Sequence, residues 1–250
     1  MIRIVVNADD FGMNDDVNKA ITYCFEHGLI SNTTIMPNMS GAEKAIALAK
    51  QGGFFDRVGL HLNLREGNPM TERIRSVSAF CDGNGMFEMN IPPFVRYFIP
   101  VSILNRELRE SLVSEIKAQI EWYVAAGFTE MHMDSHQSVH TWFLFLSAIK
   151  PLFQSYSFRS MRLRFSGFHE SLLQIGYRRF INRQIRCPVS AMYDIQSFLE
   201  HRNDLTDGSC YEVMCHPIMH EGKPVDALSG IPIEKITQCN NISMISYCDL

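Results

Sequence analysis

Short β-branched segments alternate with helical segments along almost the whole chain, and this alternation restricts the fold more than any other feature. β-Branched, apolar composition predicts about seven buried strands, over residues 2–6, 30–36, 57–62, 130–134, 161–165, 211–215 and 242–246. Apolar residues at helical spacing predict helices over 14–27, 41–51, 107–126, 142–154, 190–199 and 232–238. Strands that alternate with helices build a parallel sheet, so we expect an α/β fold and favour a β/α barrel over an open, doubly wound sheet.

The domain organisation follows from what interrupts this alternation. No segment has the composition of a linker, so we predict a single domain over 1–250. An insertion near 69–106 is rich in aromatic residues and either walls a binding cleft or forms a packed insertion. A second, near 167–188, is rich in arginine, which favours a solvated or subunit-contacting helix face over an anion site.

Charge and cysteine content restrict the partners and the compartment. With 23 Lys and Arg against 27 Asp and Glu, the net charge is −4, which disfavours nucleic acid and anionic membranes as partners. The 7 cysteines are scattered and never spaced as CxxC, which is typical of reduced thiols. The apolar stretch that opens the chain is too short for a signal peptide or a membrane span, so we predict a cytoplasmic protein.

Ionisable residues recur where the predicted strands end. Asp9 and Asp10 follow the first strand, His61 lies near the end of the third, and His216 directly follows the sixth. The motif HMDSHQSVH, residues 132–140, surrounds the end of the fourth strand. Because the carboxyl ends of parallel strands lie on one rim, where active sites are built, we expect these residues to converge.

The residue types at this rim indicate a metal site. Two histidines and one carboxylate are a common hydrolytic ligand set, and Asp10, His61 and His136 are the natural candidates. Taken alone, an Asp-Asp pair is more typical of a turn or helix cap, and a lone histidine of a core position. The histidines and aspartate of 132–140 need a joint explanation because polar groups are costly to bury.

Other chemistries remain open at this level. Cys215 precedes His216, but neighbouring strand residues point to opposite faces, which disfavours a Cys–His pair and predicts Cys215 in the core. Asp9 and Asp134 could instead flank a glycosidic bond, as in a glycoside hydrolase. A metal-dependent phosphoester hydrolase and a non-catalytic sugar-binding protein are further alternatives.

Four motifs in series resemble those of the YdjC-like carbohydrate deacetylases, which include the chitooligosaccharide deacetylases. They are NADDFG, GLHLNL followed by Glu66-Gly67, HMDSHQSVH and EVMCHP, and the resemblance runs from residue 3 to beyond residue 217. It implies a distorted β/α barrel related to polysaccharide deacetylase barrels. It also implies a divalent cation and hydrolysis of the N-acetyl group from N-acetylglucosamine-containing oligosaccharides, with a part in chitin degradation.

The resemblance also implies a role for each matching residue. Asp10, His61 and His136 correspond to the metal ligands, Asp9 to the general base and His216 to the general acid.

Weaker matches concern the surroundings of the site. Arg162 resembles an arginine that steadies the base, and Asp134 and His140 are candidates for substrate-binding or supporting positions. The ligand types alone favour zinc or iron, since magnesium prefers oxygen donors. The resemblance points to magnesium, which we rank first, with zinc as the alternative.

Two positions depart from the family pattern and bear on the substrate, an acetylated amino-sugar oligosaccharide. Ser138 stands where many members have a histidine, and Arg65 where many have a threonine. Both changes leave the predicted ligands intact, so they concern the identity of the sugar more than the reaction. The oligomeric state is left open, with a homodimer as one alternative.

Overall fold

The computed structural model describes residues 1–165 and 170–250, so the first three residues of the 167–188 insertion lie outside the described residues. The strands are β1 (Ile2–Phe11), β2 (Asn32–Ile35), β3 (Val58–Leu62), β4 (His132–Ser135), β5 (Ser160–Met161), β6 (Ala191–Asp194), β7 (Cys210–Cys215), β8 (Pro217–His220), β9 (Lys223–Asp226) and β10 (Ile242–Met244). The helices are α1 (Asp15–Glu26), α2 (Ala42–Gln51), α3 (Glu72–Arg75), α4 (Pro93–Phe98), α5 (Arg106–Ala125), α6 (Phe143–Ser155), α7 (Leu172–Asn182), α8 (Ile195–His201) and α9 (Glu234–Thr237). Among the described residues, none of these helices combines the length and apolarity needed to cross a bilayer.

A curled parallel sheet with the shape of half a barrel forms the centre of the fold. Its strand order is β5-β4-β3-β2-β1-β7-β6, and β10 pairs in parallel with residues 2–4 of β1. In the described part of the chain, no strand ladder joins the edge strands β5 and β6, so the barrel is open. The predicted distorted β/α barrel with about seven parallel strands is confirmed.

The predicted helix over 190–199 is wrong in its first half. The segment begins as strand β6, paired residue by residue with β7, and becomes helical from Ile195. Met192, Ile195 and Phe198 are buried at helical spacing, but Met192 gains its burial from pairing with a strand that follows later in the chain. Local spacing carries no information on that pairing.

Two other elements differ from the expectations. Of the strand expected over 161–165, only Met161 lies in a strand, the two-residue β5, and the side chain of Arg162 that follows is fully buried. The antiparallel hairpin of β8 and β9 has no counterpart among the predicted elements. Its turn residues Glu221 and Gly222 both have positive φ, 47° and 78°, which is the backbone of a two-residue hairpin turn.

The connection from β1 to α1 is fixed by two asparagines. Asn14, the expected helix cap, accepts hydrogen bonds from the backbone N–H groups of Asp16 and Val17. Asn18 accepts from the Gly12 N–H at 2.7 Å and donates to the Gly41 carbonyl at 2.9 Å. The backbone that follows Asp9 and Asp10 is therefore held in one conformation.

Helix α5 anchors the loop after β3 in a similar way. Gln119 exchanges two hydrogen bonds with the backbone of Asn63, at 2.9 Å and 2.6 Å. Asn63 in turn donates to the Glu66 carbonyl at 2.8 Å, and Glu115 accepts from the Met70 and Thr71 N–H groups. Because these polar groups are buried or half-buried and satisfied, the loop that carries Glu66 is well positioned.

The 69–106 insertion is packed in its first half and open in its second. Ile74 and Phe80 belong to the hydrophobic core. Phe94 and Phe98 of α4 are largely exposed, whereas Tyr97 contacts the ring of Trp142 at 5.8 Å between centroids. The second half therefore lies beside the loop that follows β4.

Candidate metal centre

The end of β1 departs from a regular strand at the two aspartates. Asp10 has a φ of 69°, and the pairing of β1 with β2 shifts register between Ala8 and Phe11. Consecutive residues of a regular strand face opposite sides, whereas a bulge re-aims one side chain. Asp9 and Asp10 can thus both reach the interior of the rim.

Asp10, His61 and His136 converge at this rim, as the sequence predicts. Oδ1 of Asp10 lies 3.1 Å from Nε2 of His61 and 2.9 Å from Nδ1 of His136. All three residues are buried, and together they form a group whose donor atoms could hold a metal ion. The Nε2 atoms of both histidines are buried and make no well-aligned hydrogen bond, although carboxylate oxygens of Asp10 and Glu66 lie 3.1 Å and 3.2 Å away. Imidazole nitrogens that face carboxylate oxygens without a well-aligned bond fit a cation, because a metal would bind both donor types.

Asp134 orients the first of these histidines. Its Oδ1 lies 2.7 Å from Nδ1 of His61, and its Oδ2 accepts from the hydroxyl of Thr34 at 3.0 Å. A carboxylate that holds one imidazole nitrogen directs the other toward a metal and makes it more basic. Burial lowers the pKa of His61, but Asp134 and Asp10 outweigh burial and raise it to about 10.

Glu66 is a further oxygen donor next to this group. Its Oε1 lies 3.2 Å from Nε2 of His136, and its side chain is half-exposed. The turn that places His136 is tight, since Gln137 and Ser138 have φ values of 51° and 54°. Glu66 belongs to a motif that the sequence singles out, but no pattern in the sequence indicated its contact with His136.

Arg162 lies beneath the rim and binds three carboxylates. Its Nη1 and Nη2 donate to the two oxygens of Asp9 at 2.6 Å and 2.7 Å, as expected of a residue that steadies Asp9. Nη2 also lies 2.6 Å from Oδ2 of Asp134, and Nε donates to Glu212. Burial raises the pKa of Asp9, but Arg162 outweighs burial and lowers it, so Asp9 is ionised at neutral pH.

The interior of the rim carries an excess of buried negative charge. The buried carboxylates are Asp9, Asp10, Asp134 and Glu212, and Arg162 is the arginine among them. Buried charges are tolerated only when they are compensated. Burial raises the pKa of Glu212, so a proton on that carboxylate, a protonated histidine or a bound cation would each relieve the excess.

His216 lies on the other side of Asp9 and is held by Asp226. Its Nε2 is 3.9 Å from Oδ2 of Asp9, and its Nδ1 is 3.4 Å from Oδ1 of Asp226. Asp226 also accepts from the His216 backbone N–H at 2.8 Å and from the hydroxyl of Ser229. Burial lowers the pKa of His216, but Asp226 and Asp9 outweigh burial and raise it. His216 can therefore carry a proton beside the reacting centre.

Two neighbouring residues take no direct part in this arrangement. Cys215 is fully buried, and burial raises the pKa of its thiol, which disfavours a Cys–His pair with His216. His140 is also fully buried, with Nδ1 bonded to Ser135 and Nε2 to the Arg162 carbonyl at 3.0 Å. Because no part of it reaches the surface, burial favours the supporting alternative for His140 over a contact with substrate.

Sequence reasoning missed Glu212 and Asp226. Glu212 is a charged residue inside the apolar strand β7, and that mismatch is a signal that could have found it. Asp226 had no such signal, because its contact with His216 depends on the β8–β9 hairpin.

Comparison with known proteins assigns the chain to a family. A family model described as YdjC-like protein matches residues 3–240. The chain belongs to the YdjC-like family. The resemblance carried by the four motifs is thereby confirmed.

Several YdjC-like relatives carry the name carbohydrate deacetylase. The protein from Brevibacillus brevis is 28% identical over 86% of this chain and 81% of its own. The protein from Vibrio parahaemolyticus is 27% identical over 94% and 85%, and that from Clostridium beijerinckii 25% identical over 100% of both. A crystal structure of an Enterococcus faecalis protein, described as a cellobiose-phosphate cleavage protein, superposes with a TM-score of 0.65. It covers 88% of this chain and 82% of its own at 24% identity, which shows the shared fold.

The two departures from the YdjC-like pattern both lie next to His136. The Ser138 carbonyl accepts from the hydroxyl of Thr141 at 2.8 Å, within the turn that follows β4. Nε of Arg65 donates to Oε1 of Gln137 at 2.8 Å. Ser138 and Arg65 therefore both lie on one side of the candidate metal centre.

Proposed function

We propose that this YdjC-like protein is a metal-dependent carbohydrate deacetylase that hydrolyses the N-acetyl group of N-acetylglucosamine-containing oligosaccharides and releases acetate. The observation that carries the proposal is the convergence of Asp10, His61 and His136 beside Asp9 and His216. The relatives support it, because their name denotes hydrolysis of an amide bond on a sugar.

Asp10, His61 and His136 would hold a divalent cation, for which we rank magnesium first and zinc as the alternative. The cation, when bound, lowers the pKa of a water molecule and polarises the acetyl carbonyl. The excess of buried carboxylates supports a dication at this place. The two imidazole donors favour zinc, whereas the half-exposed carboxylate of Glu66 adds an oxygen donor of the kind that magnesium prefers.

Asp9 accepts a proton from the attacking water. Arg162 keeps Asp9 ionised and fixes both of its oxygens, so the carboxylate is available as a base in one orientation. A positioned base contributes about 10²–10⁴-fold to the rate of such a reaction.

His216 donates a proton to the departing amine. The carboxylates of Asp226 and Asp9 favour its protonated form, and the backbone contact with Asp226 holds it near Asp9. The water oxygen bonds to the carbonyl carbon, the C–N bond breaks, and the nitrogen takes the proton from His216. Acetate and a free amino sugar result.

Acetate release from N,N'-diacetylchitobiose, with and without chelator, tests the proposal. We expect activity to disappear with EDTA and to return with Mg²⁺ or Zn²⁺. We also expect Asp10→Asn to lower kcat/KM by about 100-fold or more, as the loss of transition-state stabilisation implies. Asp16→Asn is the matched control, since Asp16 is exposed and its side chain pairs with Lys19, away from the rim. Turnover that resists chelation, or full activity in Asp10→Asn, would overturn the proposal.

The alternatives make different predictions in the same assay. A glycoside hydrolase with Asp9 and Asp134 as its two carboxylates releases reducing ends without acetate. Asp134 is fully buried and shares Nη2 of Arg162 with Asp9, so it cannot flank a sugar from the opposite side. A phosphoester hydrolase would release phosphate from p-nitrophenyl phosphate. A non-catalytic binding protein would bind the sugar without any product and retain binding in Asp9→Asn.

A further inference from the structure

Residues 242–250 form a closing segment over the amino ends of the strands, on the side of the half-barrel opposite the candidate metal centre. Strand β10 pairs in parallel with residues 2–4 of β1, and the Ile245 N–H donates to the Ile4 carbonyl at 2.9 Å. The match to the YdjC-like family ends at residue 240. The closing segment therefore lies wholly outside the matched residues.

Tyr247 is the buried residue of the closing segment. It is only 6% exposed, and its ring stacks on that of His132, the first residue of β4, with 3.7 Å between ring centres and 14° between the planes. Its backbone N–H donates to Oδ1 of Asn32 at 3.3 Å, and Sγ of Cys248 donates to Oε2 of Glu130 at 2.8 Å. One ring contact and two polar contacts thus hold Tyr247 at the base of the interior.

This placement brings Tyr247 next to Glu212, the carboxylate that contacts Arg162. Tyr247 packs on His132, and donor atoms of His132 and Glu212 lie within 4.8 Å of one another. The hydroxyl of Tyr247 and Oε2 of Glu212 are both buried, and among the described residues neither has a well-aligned hydrogen-bond partner. A buried donor and a buried acceptor that lie side by side are costly unless they pair.

The protonation of the phenol is suited to this pairing. Burial and the carboxylate of Glu212 raise the pKa of Tyr247 well above its usual value, so the hydroxyl keeps its proton and can donate it. Burial raises the pKa of Glu212, whereas Arg162 and the Tyr247 hydroxyl act in the opposite direction. The two side chains therefore interact in the sense expected of a phenol that donates to a carboxylate.

Glu212 transmits its orientation to Asp9 through a single rigid group. Nε of Arg162 donates to Oε1 of Glu212, while Nη1 and Nη2 donate to the two oxygens of Asp9 at 2.6 Å and 2.7 Å. Because the guanidinium is planar, a rotation at Nε displaces both of the donors that hold Asp9. A group that fixes the second oxygen of Glu212 thus also fixes Asp9.

We propose that Tyr247 is a positioning residue for Asp9: its hydroxyl donates to Oε2 of Glu212, and Glu212 sets the rotation of the Arg162 guanidinium. The inference rests on the proposed function, because it takes Asp9 as the base. Tyr247 itself cannot touch the substrate, since it lies at the end of the strands opposite the rim. A purely structural Tyr247 would stabilise the fold through its ring and leave kcat unchanged.

Tyr247→Phe keeps the ring on His132 and removes only the hydroxyl. We expect kcat for acetate release from N,N'-diacetylchitobiose to fall by about threefold to tenfold, the range that one hydrogen bond allows, with KM unchanged because the rim is intact. Tyr156→Phe is the matched control, since it removes a hydroxyl that donates to Oε1 of Glu121 at 2.9 Å at the surface. An unchanged kcat in Tyr247→Phe, or a rise in KM alone, would overturn the inference.

The same substitution in the Glu212→Gln background tests whether Tyr247 acts through Glu212. With the amide oxygen retained by Arg162, the group that faces Tyr247 becomes a donor and no longer accepts from it. We therefore expect Tyr247→Phe to change kcat by less than about twofold in this background, because coupled residues are not additive. An equal loss of kcat in both backgrounds would show that Tyr247 does not act through Glu212 and would overturn the inference.

Urea unfolding of the wild type, both single variants and the double variant separates this inference from the proposed function, because it needs no substrate. We expect Tyr247→Phe and Glu212→Gln to be coupled by about threefold or more in the unfolding equilibrium constant. If the wild type releases no acetate, the deacetylase assignment fails, and this coupling alone decides the contact between Tyr247 and Glu212. Additive effects on unfolding would overturn the contact, and the positioning role with it, even in an active deacetylase.

Discussion

Nη2 of Arg162 lies between two carboxylates, 2.7 Å from Oδ1 of Asp9 and 2.6 Å from Oδ2 of Asp134. Asp9 is the proposed base, whereas Asp134 orients the proposed ligand His61. The buried guanidinium of Arg162 therefore fixes the proposed base Asp9 and, through Asp134, the proposed ligand His61. A displacement of Arg162 would move both residues.

Replacing Arg162 should damage both stability and catalysis. Arg162→Gln leaves Asp9, Asp134 and Glu212 without their cation, and breaking a buried charge pair costs about 3–5 kcal/mol. Arg162→Lys keeps a charge but cannot bind two oxygens of Asp9 at once, so we expect milder destabilisation and a fall in kcat of about 100-fold. Urea unfolding and acetate release measure the two effects.

Exposed Arg159 provides the control for this experiment, because Arg159→Gln changes the same residue type three positions earlier. Wild-type stability and kcat in Arg162→Lys would contradict the role assigned to Arg162.

Glu212 should act on the reaction only through Arg162. Its contact with Nε fixes the rotation of the guanidinium, and Glu212 is fully buried beneath the rim. We expect Glu212→Gln to lower kcat by about tenfold and to leave KM unchanged, because the substrate surface is intact. A rise in KM with kcat unchanged would show instead that Glu212 affects binding. Glu43→Gln, on the exposed face of α2, is the matched control.

The order of the strands and helices was predictable from the sequence, because most of these elements are determined by local spacing and residue type. Helix α1 and its cap at Asn14 follow from spacing and residue type. The convergence of Asp10, His61 and His136 also followed, since a parallel sheet places the ends of β1, β3 and β4 on one rim. Their roles as metal ligands remain a prediction.

The features that the sequence did not predict depend on contacts between residues that are distant in the chain. Strand β6 is defined by its pairing with β7, and its four residues fit a helix equally well in isolation. Asp226 reaches His216 only because β8 and β9 form a hairpin. The positive φ of Asp10 depends on the register shift between β1 and β2, which no residue type demands.

The pH dependence of the reaction should depend on Asp226. The pKa of His216 is raised above its usual value of 6.5. The protonated form that acts as the acid is therefore present below that raised pKa, and it disappears as the pH rises through it. Asp226→Asn keeps the acceptor for the His216 N–H but removes the charge, while burial still lowers the pKa. We therefore expect the alkaline limb of the kcat/KM profile to move to lower pH.

A pH series of acetate release measures this shift, with exposed Asp204→Asn as control. If the alkaline limb of the kcat/KM profile does not move in Asp226→Asn, then His216 is not the acid of the reaction.

Removal of the cation should destabilise the protein and not only inactivate it. The carboxylates of Asp9, Asp10 and Asp134 are buried together, so an ion that binds only the folded state relieves their repulsion. A ligand at 100 times its Kd stabilises by about 2.7 kcal/mol, which for a chain of this size raises Tm by about 5–10 °C. Thermal unfolding with EDTA, Mg²⁺ or Zn²⁺ measures this increase and ranks the two metals without reference to any substrate. Asp10→Asn should abolish the increase and Asp16→Asn should retain it; an equal increase in both variants would place the ion elsewhere.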